Sequence, residues 1–342
     1  MTEFPRLTWQ RIALKLRNPF RLAYGTSEER TAYWIRLSGD EGWGEGTIPP
    51  YYGVSEDSMV RCWQAAAEKR EPFPEDVNDV PAWVGSDGPA PARAALDLAL
   101  LDRIARRQNL SIHRLLGLPR PDPKPTSFTI AIDRPETMAG MALQVANYPV
   151  LKVKLGSDAL DVQRIAAIRK ARPDALLRVD ANAGWKLAEA LRMVRDLEGF
   201  DLEMIEQPLD RHDIPGMGQV QRATSIPIVA DESLQTLADI EALSAAGVAG
   251  INLKLMKVGG LSPALVMLRR ARELGLKVML GCMIETSIGA TAMAALGGVA
   301  DWLDLDSPML ITNDPFQGIS YDEHAMVTVP DLPGIGATLR AQ

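Results

Sequence analysis

Hydrophobic and polar positions along the chain follow two different periods. From about Thr126 onward, short runs rich in β-branched residues alternate with stretches whose apolar positions recur at helical spacing, the pattern of consecutive βα units and a parallel sheet. The eight runs begin near Thr126–Ile132, Val150–Lys154, Leu176–Asp180, Leu202–Glu206, Ile226–Asp231, Gly250–Lys254, Lys277–Gly281 and Trp302–Asp306. Between them lie helical patterns such as Asp161–Ala171, Lys186–Leu197 and Pro263–Leu274, with Pro173, Gly199, Gly247 and Gly275 where those helices should stop. Eight strands with seven intervening helices predict an α/β chain folded as a (β/α)7β TIM-like barrel. Such barrels keep their chemistry at the C-terminal ends of the strands.

Ahead of the barrel the pattern changes. Leu7–Leu16 and Tyr33–Leu37 alternate as strands, Glu41–Gly46 reads as a hairpin partner, and Pro91–Arg107 is a strongly patterned helix. The expected organisation is an N-terminal α+β capping domain over residues 1–120, a catalytic barrel over 121–314, and a C-terminal segment, 315–342, packing back on the cap. That last segment contains Pro330, Pro333 and several glycines but no helical pattern.

Composition narrows the function. With 342 residues, 46% apolar and 24% charged, this is an ordinary globular chain with no low-complexity segment. A formal net charge of -7 and the lack of a basic block argue against a nucleic-acid partner and for small-molecule chemistry. The first twenty residues carry Glu3, Arg6, Arg11, Lys15 and Arg17 without an apolar core, so the expected location is the cytoplasm. Gly281–Ala300 is apolar, but Glu285 and several glycines interrupt it, which suits a barrel helix better than a membrane span. Cys62 and Cys282, far apart in apolar surroundings, read as buried free thiols.

Charged residues collect at the ends of the predicted strands. The second run ends Lys152-Val153-Lys154, and the strand period puts both ammonium groups on the inward side. Asp180, Glu206 and Asp231 are the first acids after the third, fourth and fifth apolar runs, 26 and 25 residues apart, so they emerge at one level of the mouth. Helix capping explains one such acid better than three in register. Three converging carboxylates repel one another unless a cation neutralises them, and a hard, oxygen-seeking Mg2+ is the natural ion, one per chain. Asn182 and Glu232, next in sequence to this set, are expected to support it.

The sixth run ends at Lys254, with Lys257 following. In a ring of eight, the second and sixth strands are opposed, so Lys154 and Lys254 face each other across the mouth. A carboxylate bound at the metal then presents its α-carbon between two amines, the geometry for removing a proton on one face and returning it on the other. Such a proton is hardly acidic, because its loss makes a doubly charged enediolate that a cation must meet as it develops. A lysine base must also start neutral, and a neighbouring ammonium lowers its pKa, which gives Lys152 an electrostatic role beside Lys154.

Taken together, Lys152-Val-Lys154, Asp180-Ala-Asn182, Glu206-Gln-Pro208, Asp231-Glu-Ser233 and Lys254-Leu-Met-Lys257-Val-Gly-Gly260 resemble the enolase superfamily, and within it the muconate-lactonising subgroup, over nearly the whole chain. The resemblance implies a cap that supplies substrate-reading loops. Asp304-Leu-Asp306 and Met283-Ile284-Glu285-Thr286 are similar to the dipeptide epimerases of that family, in which the Asp pair binds the substrate's α-ammonium group. Muconate cycloisomerisation, o-succinylbenzoate synthesis and N-acylamino acid racemisation use the same kind of site, but their substrates offer no ammonium there. A metal-binding barrel without turnover, the reading from another class, has no need of lysines on both faces.

One departure bears on specificity. Epimerases similar to this chain that act on Ala-Glu carry an arginine near the place of Gly25, and here it is absent, with Arg21 and Arg30 as candidate substitutes. Tyr24, Tyr51 and Tyr52, with Met283 and Ile284, predict an aromatic or apolar side-chain pocket and a preference other than Ala-Glu. Glu28 and Glu29 leave room for a cationic side chain. His113, His212 and His324 are isolated and end no strand, which argues against a histidine base. Homo-oligomers are common among relatives, although no self-complementary patch is legible.

Overall fold

A computed structural model of the chain describes residues 7–22, 25–37, 39 and 42–341. The N-terminal part is an antiparallel sheet of β1 (Leu7–Leu22), β2 (Gly25–Leu37) and β3 (Trp43–Thr47), with helices α1 (Glu56–Ala67) and α2 (Ala90–Arg107). β1 runs six residues past the expected end at Leu16. Its pairing with β2 is interrupted between Lys15 and Phe20 and resumes at Phe20↔Ser27, an irregularity that takes up Pro19, which has no N–H to give a ladder.

β3 explains how the cap is held. Gly42, Gly44 and Gly46 recur at the strand period on one face, and a Cβ at Gly44 would lie 1.9 Å from the Ala95 carbonyl oxygen of α2. Helix and strand backbones therefore meet with no side chain between them. Replacing Gly44 by alanine must push the two elements apart, and the expected cost is about 1–3 kcal/mol or more. Thermal unfolding followed by circular dichroism checks this against Gly140→Ala, where the added Cβ meets nothing within 4 Å. The control should unfold no earlier than the parent.

α2 is buried from Pro91 to Ala105 except at Arg93, because the cap sheet lies on one side and the barrel on the other. Its two internal acids serve as anchors. Asp97 Oδ2 accepts from the backbone N–H groups of Leu261 (2.6 Å) and Ser262 (3.1 Å) at the start of a barrel helix. Asp102 accepts from Trp43 N (2.9 Å), Ile335 N (2.6 Å) and Arg106 Nε (2.8 Å), joining cap and C-terminal segment. A third link runs from Glu45 of β3 to Thr286 N (2.8 Å), Thr286 Oγ1 (2.7 Å) and Gly289 N (3.1 Å).

The barrel is one parallel sheet of eight strands in sequence order: β4 (Phe128–Ile130), β5 (Val150–Lys154), β6 (Leu176–Asp180), β7 (Leu202–Glu206), β8 (Ile228–Ala230), β9 (Gly250–Leu253), β10 (Lys277–Gly281) and β11 (Trp302–Asp304). A bridge of Thr126 with Leu303, with Ser127 N donating to Leu303 O at 3.2 Å, joins the last strand to the start of the first. Seven crossovers carry α3 (Pro135–Gln144), α4 (Asp161–Ala171), α5 (Leu187–Leu197), α6 (Ile214–Arg222), α7 (Leu237–Ala246), α8 (Leu261–Glu273) and α9 (Ser287–Ala294). Among the described residues, the only helix after β11 is the four-residue turn Ser307–Leu310.

Inside the ring, Met204, Val229, Met279 and Trp302 form a buried apolar floor, and the charged residues stand above it. Beyond residue 315, Phe316–Gln317 pairs with Thr338–Leu339, and Phe316 lies between Trp34 and Trp43 with ring centroids 5.2 and 5.3 Å away. No helix among the described residues is long and apolar enough to cross a membrane.

Candidate active site

The end of β5 points two lysines into the barrel, with Val153 turned to the helix layer. Lys152 is 1% exposed, and its Nζ lies 2.7 Å from Asp304 Oδ2, 2.7 Å from Glu206 Oε2 and 3.1 Å from Asp180 Oδ2. Lys154, nearer the mouth, donates to Asp180 Oδ2 at 2.6 Å. Across the ring, Lys254 follows β9 and donates to Asp231 Oδ2 at 2.8 Å. Lys154 and Lys254 both line a cavity of about 70 Å3 at the C-terminal face.

Asp180, Glu206 and Asp231 come together between these lysines, each offering a carboxylate oxygen within 4.8 Å of the other two, all buried. The backbone is shaped for this convergence. Asn182, Ala183 and Gln207 have φ of 43°, 59° and 34°, a left-handed conformation that non-glycine residues hold only where the surroundings enforce it. Gln207 supplies part of that enforcement: its Oε1 accepts from Asp231 N (2.8 Å) and Ser233 N (3.2 Å), and its Nε2 donates to Ser233 Oγ (2.8 Å). Asn182 donates from Nδ2 to Glu232 Oε1 at 3.2 Å, and Asn252 donates to Glu206 Oε1 at 2.8 Å.

The donor set fits a hard divalent cation. Glu206 Oε2, Glu232 Oε2 and Asn182 Oδ1 are buried and have no hydrogen-bond partner, although Lys152 lies against the first of them. Three converging carboxylates, of which Glu206 keeps an oxygen without a hydrogen-bond partner, are what Mg2+ takes as ligands, with water and substrate oxygens for the rest.

Carboxylates dominate the electrostatics of two of the lysines. Burial alone would lower the Lys152 and Lys254 pKa values, but Asp304, Glu206 and Asp180 around the first, and Asp231 and Glu206 around the second, hold both well above the ordinary lysine value. Burial and Asp180 raise Glu206 to about 7, and burial and Asp231 raise Glu232 to about 8. Against its burial, Asp231 is held below the usual carboxylate range by Lys254 and Lys257.

Lys257 is a site residue that the strand-end rule passes over. It sits on the turn Leu255–Val258, is 2% exposed, and donates to Asp231 Oδ1 (2.6 Å), Asp231 O (2.5 Å) and Asn252 O (2.8 Å). Its signal was a second lysine three residues after Lys254.

On the eighth strand the two acids differ. Asp304 is engaged by Lys152 and by Ser127 Oγ (2.5 Å), and against its burial the Lys152 charge lowers it to about 2. Asp306 accepts from Thr129 N at 2.8 Å, and burial next to Asp304 raises it to about 6. Both line the cavity. Rather than standing apart from the triad, Asp304 is tied to it through Lys152.

Of the expected side-chain pocket, Tyr51, Met283 and Ile284 line the cavity, joined by Arg30, Ile48 and Leu310. Arg30, one of the two candidate substitutes, hydrogen-bonds Ser27, whereas Arg21 is exposed and does not line the cavity. Tyr52 stands behind the wall, its ring 4.6 Å from that of Tyr51 and its OH donating to Glu232 O at 3.1 Å. Tyr24 lies outside the described residues. Cys282 is half-buried rather than buried, and its Sγ faces Asp304 O at 3.3 Å.

Comparison with known proteins gives a consistent set of relatives. Residues 7–117 match the N-terminal domain model of mandelate racemase / muconate lactonizing enzyme, and residues 137–342 match the enolase C-terminal domain-like model. The chain is similar to the L-Ala-D/L-Glu epimerase of Bacteroides thetaiotaomicron, at 36% identity over 97% of this chain and 87% of that one. It is 35% identical to the hydrophobic dipeptide epimerase of Roseobacter litoralis over 98% of this chain and 99% of that one. Among solved structures, a dipeptide epimerase from Cytophaga hutchinsonii complexed with Mg and D-Ala-L-Val superposes with a TM-score of 0.92 at 28% identity, covering 99% of this chain and 96% of that one.

Proposed function

The chain belongs to the mandelate racemase/muconate lactonizing enzyme family of the enolase superfamily, and from that premise we propose that it is a magnesium-dependent dipeptide epimerase that inverts the α-carbon of the C-terminal residue. The observation that carries the reading is the placing of Lys154 and Lys254, from the second and sixth strands of the ring, on one cavity around the Asp180, Glu206 and Asp231 carboxylates.

Asp180, Glu206 and Asp231 would hold the magnesium ion, which supplies the positive charge that stabilises the second negative charge developing on the substrate carboxylate. The remaining steps belong to side chains of the chain itself. Once Asp231 is committed to a cation, Lys254 loses part of the negative charge that holds its pKa up, and the reaction needs one of the two facing amines neutral. That amine takes the α-proton, and the opposite ammonium delivers one to the other face, so an L residue leaves as D. The two lysines exchange roles for the reverse reaction. Lys152 keeps Asp304, which is not a metal ligand, as its counter-charge and adds to the positive field at the carboxylate.

Asp306, with Asp304 behind it, receives the α-ammonium group. This separates the reading from muconate cycloisomerisation, o-succinylbenzoate synthesis and N-acylamino acid racemisation. Tyr51, Met283, Ile284 and Ile48 favour an apolar or aromatic C-terminal side chain over glutamate. A residues 1–120 cap, a 121–314 barrel, a cytoplasmic location and catalysis without nucleic acid or membrane complete the proposal. Incubating the protein and Mg2+ with mixed L,L-dipeptide pools in D2O should label the C-terminal α-carbon of apolar members with one deuterium, read by mass spectrometry. A protein with bound metal that labels no dipeptide would overturn the reading.

A further inference from the structure

The space around Asp306 does not end at the reactive cavity. A second groove, of about 460 Å3, shares Thr129 and Leu310 with it and runs outward between β4 and α3. Phe128, Ile130, Met141 and Met309 make most of its wall apolar. Its origin lies in the fold: an eighth barrel helix would cover the seam between β11 and β4, and here, among the described residues, the only helix after β11 is the turn Ser307–Leu310. The rim of β1 roofs the seam instead, with Arg17 Nε donating to Met309 O at 2.8 Å.

The sizes of the two spaces divide the work. The reactive cavity, about 70 Å3, is already shared by the reacting atoms and the C-terminal side chain, whereas the groove lies in the range of small-ligand sites, about 300–1,000 Å3. An ammonium held at Asp306 puts the N-terminal α-carbon beside Thr129, whose backbone N–H is bonded to that same carboxylate. The side chain on that carbon then has the groove next to it. We infer that this groove receives the side chain of the substrate's N-terminal residue, and that the enzyme prefers dipeptides with a large apolar residue there. The inference rests on the epimerase reading and extends it to the second residue of the substrate.

Gly140 provides the test. It lies on the α3 wall of the groove, and a Cβ added there meets nothing within 4 Å, so a leucine side chain there starts in open space and takes up part of the groove. Replacing a mid-helix glycine also favours the helix, so the variant should fold. The holoenzyme with Mg2+ is assayed in D2O on L-Ala-L-Leu, L-Leu-L-Leu and L-Phe-L-Leu, with kcat/KM for deuterium uptake as the readout. The parent should favour leucine or phenylalanine over alanine at the N-terminus by about tenfold or more, and Gly140→Leu should collapse that ratio. A flat series in the parent, or a ratio that survives the substitution, overturns the groove assignment and leaves the epimerase reading standing. Uptake from none of the three peptides removes both.

Discussion

Replacing Lys154 or Lys254 by alanine is expected to lower the rate of epimerisation by about 10²–10⁴-fold, the range over which a positioned general acid or base contributes. Both losses should be alike in size, because inversion needs one amine on each face and neither face has a spare. Lys152 is engaged by Asp304 and Glu206 at 2.7 Å, and Lys257 is held by Asp231 and Asn252, so neither is placed to substitute. Steady-state inversion followed by chiral chromatography measures the effect. A variant retaining more than about a tenth of the parent rate would remove its lysine from the mechanism.

Withdrawal of magnesium with a chelator is expected to stop deuterium uptake completely and reversibly while the far-ultraviolet circular dichroism stays unchanged. The reason lies in the charges: Lys152, Lys154, Lys254 and Lys257 lie within 3.1 Å of the triad carboxylates and offset their repulsion without metal. Asp231→Asn behaves differently. It leaves Lys254 and Lys257 buried without their counter-charge, which should cost about 3–5 kcal/mol of stability in addition to activity. Urea unfolding of the two chelated proteins reads this directly. Equal midpoints would mean that the lysines find compensation elsewhere.

How much of this was legible in sequence differs by element for physical reasons. β5, β6, β7 and β10 fall on the expected residues, since each is a five-residue stretch rich in Val, Ile, Leu and Met that closes at a charged residue or a glycine. β8 and β11 are shorter than expected because Asp231 and Asp306 already belong to the turns that carry the site. The acids at the strand ends were visible because the strand period and the ring order place them without knowledge of any contact.

Packing was not visible in the same way. The close approach of Gly44 to Ala95 joins positions 51 residues apart, and nothing in either local pattern names the partner. Asp97 and Asp102 read as polar interruptions in an apolar helix until the N–H groups of Leu261 and Ile335 supply their purpose. The two pKa directions for Lys152 and Lys254 also required coordinates, since burial and ion pairing act in opposite senses and only distance decides between them. Tyr52 carried the right residue type for a pocket wall, but its OH is used on Glu232.

The two-base account is tested most directly by crossing the lysine variants with substrate stereochemistry. Lys154→Ala and Lys254→Ala, each with Mg2+ in D2O, are given the L,L- and the L,D-form of one dipeptide that the parent epimerises, and α-deuterium is followed by mass spectrometry. The account predicts a complementary pattern: each variant exchanges the α-proton of one stereoisomer only, and the two variants exchange opposite ones. Exchange of both stereoisomers by a single variant, or of the same stereoisomer by both, would contradict it.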